Sequence, residues 1–153
     1  MKVFILNGAN LGQLGTREAN IYGNLSFEEY LEHLRSLYPD AVFDYFQSDS
    51  EVELAGRIAA AKDYEGVILN AGAYTHTSVL LADAVRTTGC PVIEVHISNL
   101  FGRERYRRES VLSGCCYGFI AGFGLDSYRL AVEALLKISQ PLNQSTKNQS
   151  AEF

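Results

Sequence analysis

Glu94 and His96 stand two residues apart in the run PVIEVH at 91–96, a spacing that can do proton chemistry. Residues i and i+2 of a strand point to the same face, so this carboxylate and imidazole can touch. Such a contact favours the charged ring and fixes its orientation, as a general acid or base needs. Two plainer readings stay open: His96 ties a loop to backbone, or Glu94 is a buried charge satisfied by a cap or an interface. Tyr22 is a second candidate. A free phenol ionises near ~10 and is a poor base at neutral pH, but an arginine within ~4–6 Å lowers that value. Arg17 lies in the same glycine-punctuated stretch, NGANLGQLGTREANIYG at 7–23, and can fold back toward Tyr22. Tyr22 as a simple aromatic anchor fits the sequence equally well.

The elements that position these residues follow from patterning. KVFIL at 2–6 is a nearly continuous apolar run, the signature of a strand covered on both faces. The polar stretch follows it, and a loop of that length in a compact domain is usually a lid or a binding loop. Ser26 with Glu29 forms a capping box ahead of Phe27, Tyr30, Leu31, Leu34 and Leu37 at helical spacing, and Pro39 stops that helix. AVFDYFQ at 41–47 reads as a second strand. Ser50 with Glu53 is a second capping box, opening a helix with Leu54, Ile58 and Ala61 inward. GVIL at 66–69 is a third strand, followed by a helix over 77–88 with Val79, Leu80, Ala84 and Val85 inward and Gly89 as its stop. Residues 91–96 form the fourth strand, 103–110 a short charged turn, 116–121 the fifth strand and 126–138 a final amphipathic helix.

Strands alternating with helices predict an α/β domain with a parallel sheet and right-handed crossovers. The flavodoxin-like order 2-1-3-4-5 fits a chain of this size, as one domain over 1–139 with a polar tail, possible disorder included, over 140–153. Ligands of such sheets bind beyond the carboxyl ends of the strands, near the reversal in strand order. Here those ends deliver Asn7 and Asn10, then Asn70 and His76, then Glu94, His96 and Ser98. His33, between Glu32 and Leu34 in the first helix, reads as a surface residue.

Composition narrows the partners. The 153 residues carry a formal charge of −5, which argues against nucleic acid and anionic membrane but leaves a small anionic substrate open. Cys90, Cys115 and Cys116 lie in or beside apolar runs without ligand spacing, and read as buried thiols in a reducing cytoplasm. No run has the length of a membrane span, and the start of the chain lacks a signal-peptide core, so a cytosolic location is expected. There is no GxSxG, no GxxxxGK[ST] and no metal-ligand spacing. The expectation is a pocket with one acid, one candidate base, amides and arginines, and neither metal nor flavin. A non-catalytic flavodoxin-like module binding a small anion is the competing reading.

Several segments in order resemble the type II 3-dehydroquinate dehydratases of the shikimate pathway. They are the stretch at 7–23, FQSDSEVEL at 46–54, ILNAGAYTHTSVLLADA at 68–84, IEVHISNLFGRERYRRES at 93–110 and GFGLDSYRLAVEAL at 122–135. The resemblance implies a flavodoxin-like enzyme, a dodecamer built as a tetramer of trimers, that eliminates water from 3-dehydroquinate without a cofactor. It makes Tyr22 the base, Arg17 its activator, Asn10 the holder of a water at the enolate oxygen, and His96 the acid oriented by Glu94. It assigns Asn70, His76 and Arg107 to the ring hydroxyls, Ile97 and Ser98 to the carboxylate, and Asp83 to a neighbouring subunit's site. The family commonly has proline where Ala9, Ala19 and Ala71 stand, Asn-Leu where Gly12-Gln13 stand, and a histidine pair where Arg108-Glu109 stand. Fewer prolines and Gly12 predict a lid with more conformational freedom.

Overall fold

The structure, a computed structural model, describes residues 1–15 and 24–140. Arg17, Tyr22 and most of the predicted lid lie outside the described residues, as does the tail beyond Gln140. Among the described residues, five strands form one parallel sheet: β1 (Lys2–Asn7), β2 (Val42–Gln47), β3 (Gly66–Asn70), β4 (Val92–His96) and β5 (Gly118–Ala121). Their order is β2-β1-β3-β4-β5, the flavodoxin-like arrangement expected from sequence. Four α-helices alternate with them: α1 (Phe27–Leu37), α2 (Glu51–Ala59), α3 (Val79–Thr87) and α4 (Asp126–Ser139).

Alternation along the strands divides the core. Val3, Ile5, Ile68, Ile93 and Val95 pack under α1 and α4, against Phe27, Leu34, Tyr128 and Leu135. Phe4, Leu6, Val67, Leu69 and Val92 pack under α2 and α3, against Leu54, Ile58, Leu81 and Val85. Each fully buried aliphatic or aromatic side chain stabilises the fold by roughly 1.5–3 kcal/mol relative to exposure. The sheet therefore holds its strand ends in register from both sides.

Ser26 begins α1 as expected, with both halves of the capping box formed. The second box is only half formed. Ser50 accepts the Glu53 N–H at 3.3 Å, but the Glu53 carboxylate is taken by the Ser48 hydroxyl, which also accepts the Ser50 N–H at 2.9 Å. The phase of α3 also differs from the sequence reading. Val79 and Leu80 are exposed, and Leu81 and Ala82 join Ala84 and Val85 in the core. Residues 79–82 are all apolar, so hydrophobicity cannot select a face. The Ser78 hydroxyl starts the helix, capping the Leu81 N–H at 3.0 Å. The three cysteines are half-buried rather than buried. The segment predicted as a charged turn contains a 3₁₀ turn at Arg105–Arg107.

Where β1 ends, the chain runs against β3's continuation. The Gly8 N–H donates to the Asn70 carbonyl at 2.7 Å. A Cβ on Gly8 would stand 2.4 Å from the Ala71 carbonyl oxygen, a backbone atom that cannot swing aside. Gly56, inside α2, has nothing within 4 Å of that position. Gly8→Ala is expected to lower stability by about 1–3 kcal/mol through overpacking. Gly56→Ala is expected to raise it by roughly 0.5–1 kcal/mol through helix propensity. Denaturant midpoints of the two variants, moving in opposite directions, check both.

Candidate active site

The carboxyl ends of β1, β3 and β4 open into a cleft of about 160 Å³. Asn10, Asn70 and His76 line it from the loops after β1 and β3, with His96, Ile97 and Ser98 at the end of β4. Arg107 closes it from the 3₁₀ segment. These sequence candidates come together in the described structure. Asp83 does not join them: it is exposed on α3, where it pairs with Arg86 at 3.0 Å. His33 is an exposed residue of α1, as read.

His96 and Glu94 form the pair that their spacing predicted. His96 Nε2 lies 2.7 Å from Glu94 Oε1, with both side chains almost wholly out of water. Nδ1 is then the ring nitrogen left for a ligand in the cleft. The Phe119 ring packs beside the imidazole, centroids 5.5 Å apart. The His96 carbonyl is held as firmly, accepting the Ser127 hydroxyl at 3.0 Å and the Gly122 N–H at 3.2 Å. Glu94 does not line the cleft. It sits behind His96, and the hydroxyls of Thr75 and Ser110 also reach its carboxylate. No local pattern connects those partners, and sequence reasoning did not find them.

On the other face of the sheet lies a second polar centre. Tyr128 of α4, fully buried, donates its hydroxyl to Asn7 Oδ1 at 2.7 Å and accepts from Asn70 Nδ2 at 2.9 Å. Asn70 Oδ1 in turn accepts the Gly72 N–H at 3.2 Å, so the amide that faces the cleft has its orientation set from behind. A tyrosine on the inner stripe of an amphipathic helix was the available signal, since a buried phenol requires a polar partner. Burial pushes the Tyr128 phenol far above its ordinary value, and the Tyr45 phenol, 3.4 Å from Asn7 Nδ2, up to about 12.

The described lining contains two arginines, Arg103 and Arg107, two histidines and no carboxylate, a balance suited to an anionic ligand. Arg103, not singled out from sequence, donates Nη1 to the Ser98 hydroxyl at 3.3 Å. Arg107 Nε is buried without a hydrogen bond among the described residues, although Glu104 Oε2 is 3.3 Å away. Asn10 adopts a left-handed backbone, φ 65°, and its N–H donates to Asp49 at 3.0 Å. Leu14 borders the cleft, and the next residue, Gly15, with φ 88°, lies against the backbone of Asn24 to Ser26. His76 Nδ1 meets the Glu109 carbonyl at 2.6 Å, one of the positions where the sequence departs from the family pattern.

Comparison with known proteins gives concordant findings. The family described as Dehydroquinase class II matches residues 1–136. A protein of Exiguobacterium sp. (strain ATCC BAA-1283 / AT1b) named 3-dehydroquinate dehydratase is 48% identical over 138 residues, covering 90% of this chain and 95% of its own length. Its namesake from Pelodictyon phaeoclathratiforme is 45% identical over 139 residues, covering 89% and 92%. Among solved structures, the type II dehydroquinase of Butyrivibrio crossotus matches with a TM-score of 0.86 at 37% identity, over 89% of this chain and 97% of that one.

Tyr128→Phe isolates the second polar centre. It leaves Asn7 Oδ1 and Asn70 Nδ2 without their shared partner, and stability at neutral pH is expected to fall by about 1–3 kcal/mol. At alkaline pH the sign follows from linkage. The unfolded phenol loses its proton near pH ~10 while the buried one keeps it, so above that pH the folded state binds more protons and stability falls as pH rises. Each such tyrosine contributes about 1.4 kcal/mol per pH unit to the decline. The variant's decline per pH unit should be shallower, by an amount that grows toward that value as pH rises past about 10, as read from unfolding curves between about pH 9 and 11.

Proposed function

The chain belongs to the class II dehydroquinase family, and on that premise we propose that it is a hydro-lyase that eliminates water from 3-dehydroquinate to give 3-dehydroshikimate. The observation that carries this reading is the buried Glu94–His96 pair opening into a cleft whose described lining is cationic. A carboxylate-bearing substrate fits that lining. An imidazole held at Nε2 by a carboxylate can present a proton from Nδ1.

The mechanism begins with Tyr22 as phenolate, favoured by the Arg17 guanidinium, taking a proton from the carbon next to the ketone. The electron pair released goes to the carbonyl oxygen, and a water held by Asn10 stabilises the resulting enolate. When the enolate collapses, the carbonyl re-forms, the carbon–carbon double bond appears and the carbon–oxygen bond of the leaving hydroxyl breaks. The hydroxyl keeps that bonding pair, takes the proton from His96 Nδ1 and departs as water. The proton on Tyr22 then returns through solvent to the imidazole, restoring both groups. Asn70, His76 and Arg107 hold the ring hydroxyls, and Ile97 and Ser98 hold the carboxylate, partly through backbone N–H groups.

Residues 1–139 act as one catalytic domain, and the enzyme works in the cytoplasm on the shikimate pathway. It assembles as a homododecamer in which Asp83 reaches a neighbouring subunit's site, consistent with its exposure on α3 away from the cleft of its own chain.

Tyr22→Phe tests the reading. The conjugated enone of the product absorbs in the ultraviolet, so turnover is followed directly. Removal of the base is expected to reduce kcat by 10²–10⁴-fold with folding and assembly retained. Near-normal turnover would remove Tyr22 from the role, and tight binding of dehydroquinate without turnover by the unaltered protein would favour the binding-module reading.

A further inference from the structure

We propose that Thr75 and Ser110 are positioning residues that decide where the acid's proton resides: their hydroxyls keep Glu94 less basic than His96. This deepens the dehydratase reading and rests on it. The observation is a count of donors around one buried carboxylate. Glu94 has no exposed surface. Its Oε1 accepts from the Thr75 hydroxyl, from the Ser110 hydroxyl at 2.9 Å and from His96 Nε2 at 2.7 Å, and Oε2 lies 3.0 Å from Ser110 Oγ.

The direction of the serine bond is set by geometry. Ser110 Oγ accepts the backbone N–H groups of Leu112 at 3.1 Å and Ser113 at 2.9 Å. A hydroxyl has two acceptor sites and one proton, so the proton of Ser110 points away from those amides, toward Glu94 and Thr75 Oγ1. The two hydroxyl-bearing segments are also tied together. The Val111 N–H donates to the Thr75 carbonyl at 2.8 Å, and Ser110 Oγ is 2.9 Å from Thr75 Oγ1. Thr75 itself has no exposed surface. Loop and turn therefore present both hydroxyls to the carboxylate as fixed donors.

The consequence concerns the proton shared by Glu94 and His96. Hydrogen bonds donated to a carboxylate stabilise its ionised form, so two hydroxyls keep the proton on Nε2. The ring that faces substrate is then an imidazolium, whose Nδ1–H can be given up to a leaving hydroxyl. If the proton moved to Glu94, the ring would be neutral and its Nδ1–H a far weaker acid. No other described group near the pair offers the same control. Cys116, which precedes β5, stays a neutral thiol because burial, and then the charge of Glu94, push it up to about 12. His76 faces the cleft, but its Nδ1 is engaged by the Glu109 carbonyl.

Thr75→Val, Thr75→Ser and Ser110→Ala test this by pH profiles of kcat and KM for dehydroquinate on the assembled enzyme. Thr75→Val should lower kcat roughly ten- to a hundredfold with KM within about twofold, the scale of one hydrogen bond to a charged group. The alkaline limb of its kcat profile should move to higher pH, because a more basic Glu94 retains the pair's proton. Its acid limb, set by Tyr22, should stay in place. Thr75→Ser, which keeps the hydroxyl, should restore both kcat and the limb. Ser110→Ala should repeat the effect from the other side and carries the test alone if Thr75→Val does not fold. A fall in kcat with the limb unmoved, or no recovery in Thr75→Ser, would reduce both residues to structural supports and overturn the proposal. Failure of the underlying reading is separate: it would appear as His96→Ala turning over normally, or as no turnover in the unaltered enzyme.

Discussion

A carboxyl group kept entirely out of water is the constraint around which this end of the molecule is built. A buried carboxylate is costly unless each of its lone pairs finds a donor. Glu94 meets that demand with partners from three separate stretches of chain: Thr75 after β3, Ser110 beyond the 3₁₀ segment, and His96 on its own strand. Such convergence requires β3 and β4 to be neighbours, which the sheet order provides, with Leu69 paired to Glu94. It also requires the chain after β4 to double back over the ends of both strands. The bond from the Val111 N–H to the Thr75 carbonyl and the contact between His76 and the Glu109 carbonyl hold it there. The charge and the loop path thus stabilise one another.

The sheet carries two kinds of polar equipment and keeps them apart by the two-residue period of its strands. Asn7 and Asn70 follow Ile5 and Ile68 in phase and face α1 and α4, where Tyr128 joins them. Glu94 follows Val92 in phase and faces the other layer, with His96 beside it. Only where the strands end do the two sets meet at one cleft. The amides are fixed by neutral hydrogen bonds around a phenol, and the proton-bearing pair by bonds to a charge. The charged set is the stiffer, since bonds to an ionised acceptor are roughly twice as strong as neutral ones. A turnover that asks one ring to release and regain a proton, while the groups around it keep their geometry, benefits from that difference.

How much of this was legible in the sequence depends on the range of each interaction. Capping at Ser26, the strands and their order, and the meeting of Glu94 with His96 are local or follow from general chirality, and the structure agrees with them. The partners of Glu94 were not legible. Thr75 is 19 residues away and Ser110 is 16, with no periodic signal to relate them. The inward face of α3 was misread because Val79, Leu80, Leu81 and Ala82 are all apolar, and only the polar residues that follow, Asp83, Arg86 and Thr87, mark its outer face. Arg103 was passed over in a segment dense with arginine and glutamate, where type alone cannot say which guanidinium turns inward. Tyr22 and Arg17 rest on resemblance, because a phenol and a guanidinium in a glycine-rich stretch carry no spacing rule of their own.

Net charge and site charge point in opposite directions here, and their contrast has a physical cause. The chain carries a formal −5, yet the described wall of the cleft has arginines and no carboxylate. At a separation beyond about 8–10 Å in physiological salt, the surface acids are largely screened, whereas groups in a partly enclosed cleft are not. A small anion near the cleft is therefore governed by Arg103 and Arg107 more than by the overall sum. Arg107 sharpens the point, because its buried Nε makes no hydrogen bond among the described residues. A buried donor without a partner is rare in folded proteins. Glu104 lies close enough to offset part of the charge without forming that bond. Arg107, which lines the cleft, thus keeps one donor unmet, and an anion or hydroxyl that satisfied it would gain more than the same contact gives at the surface.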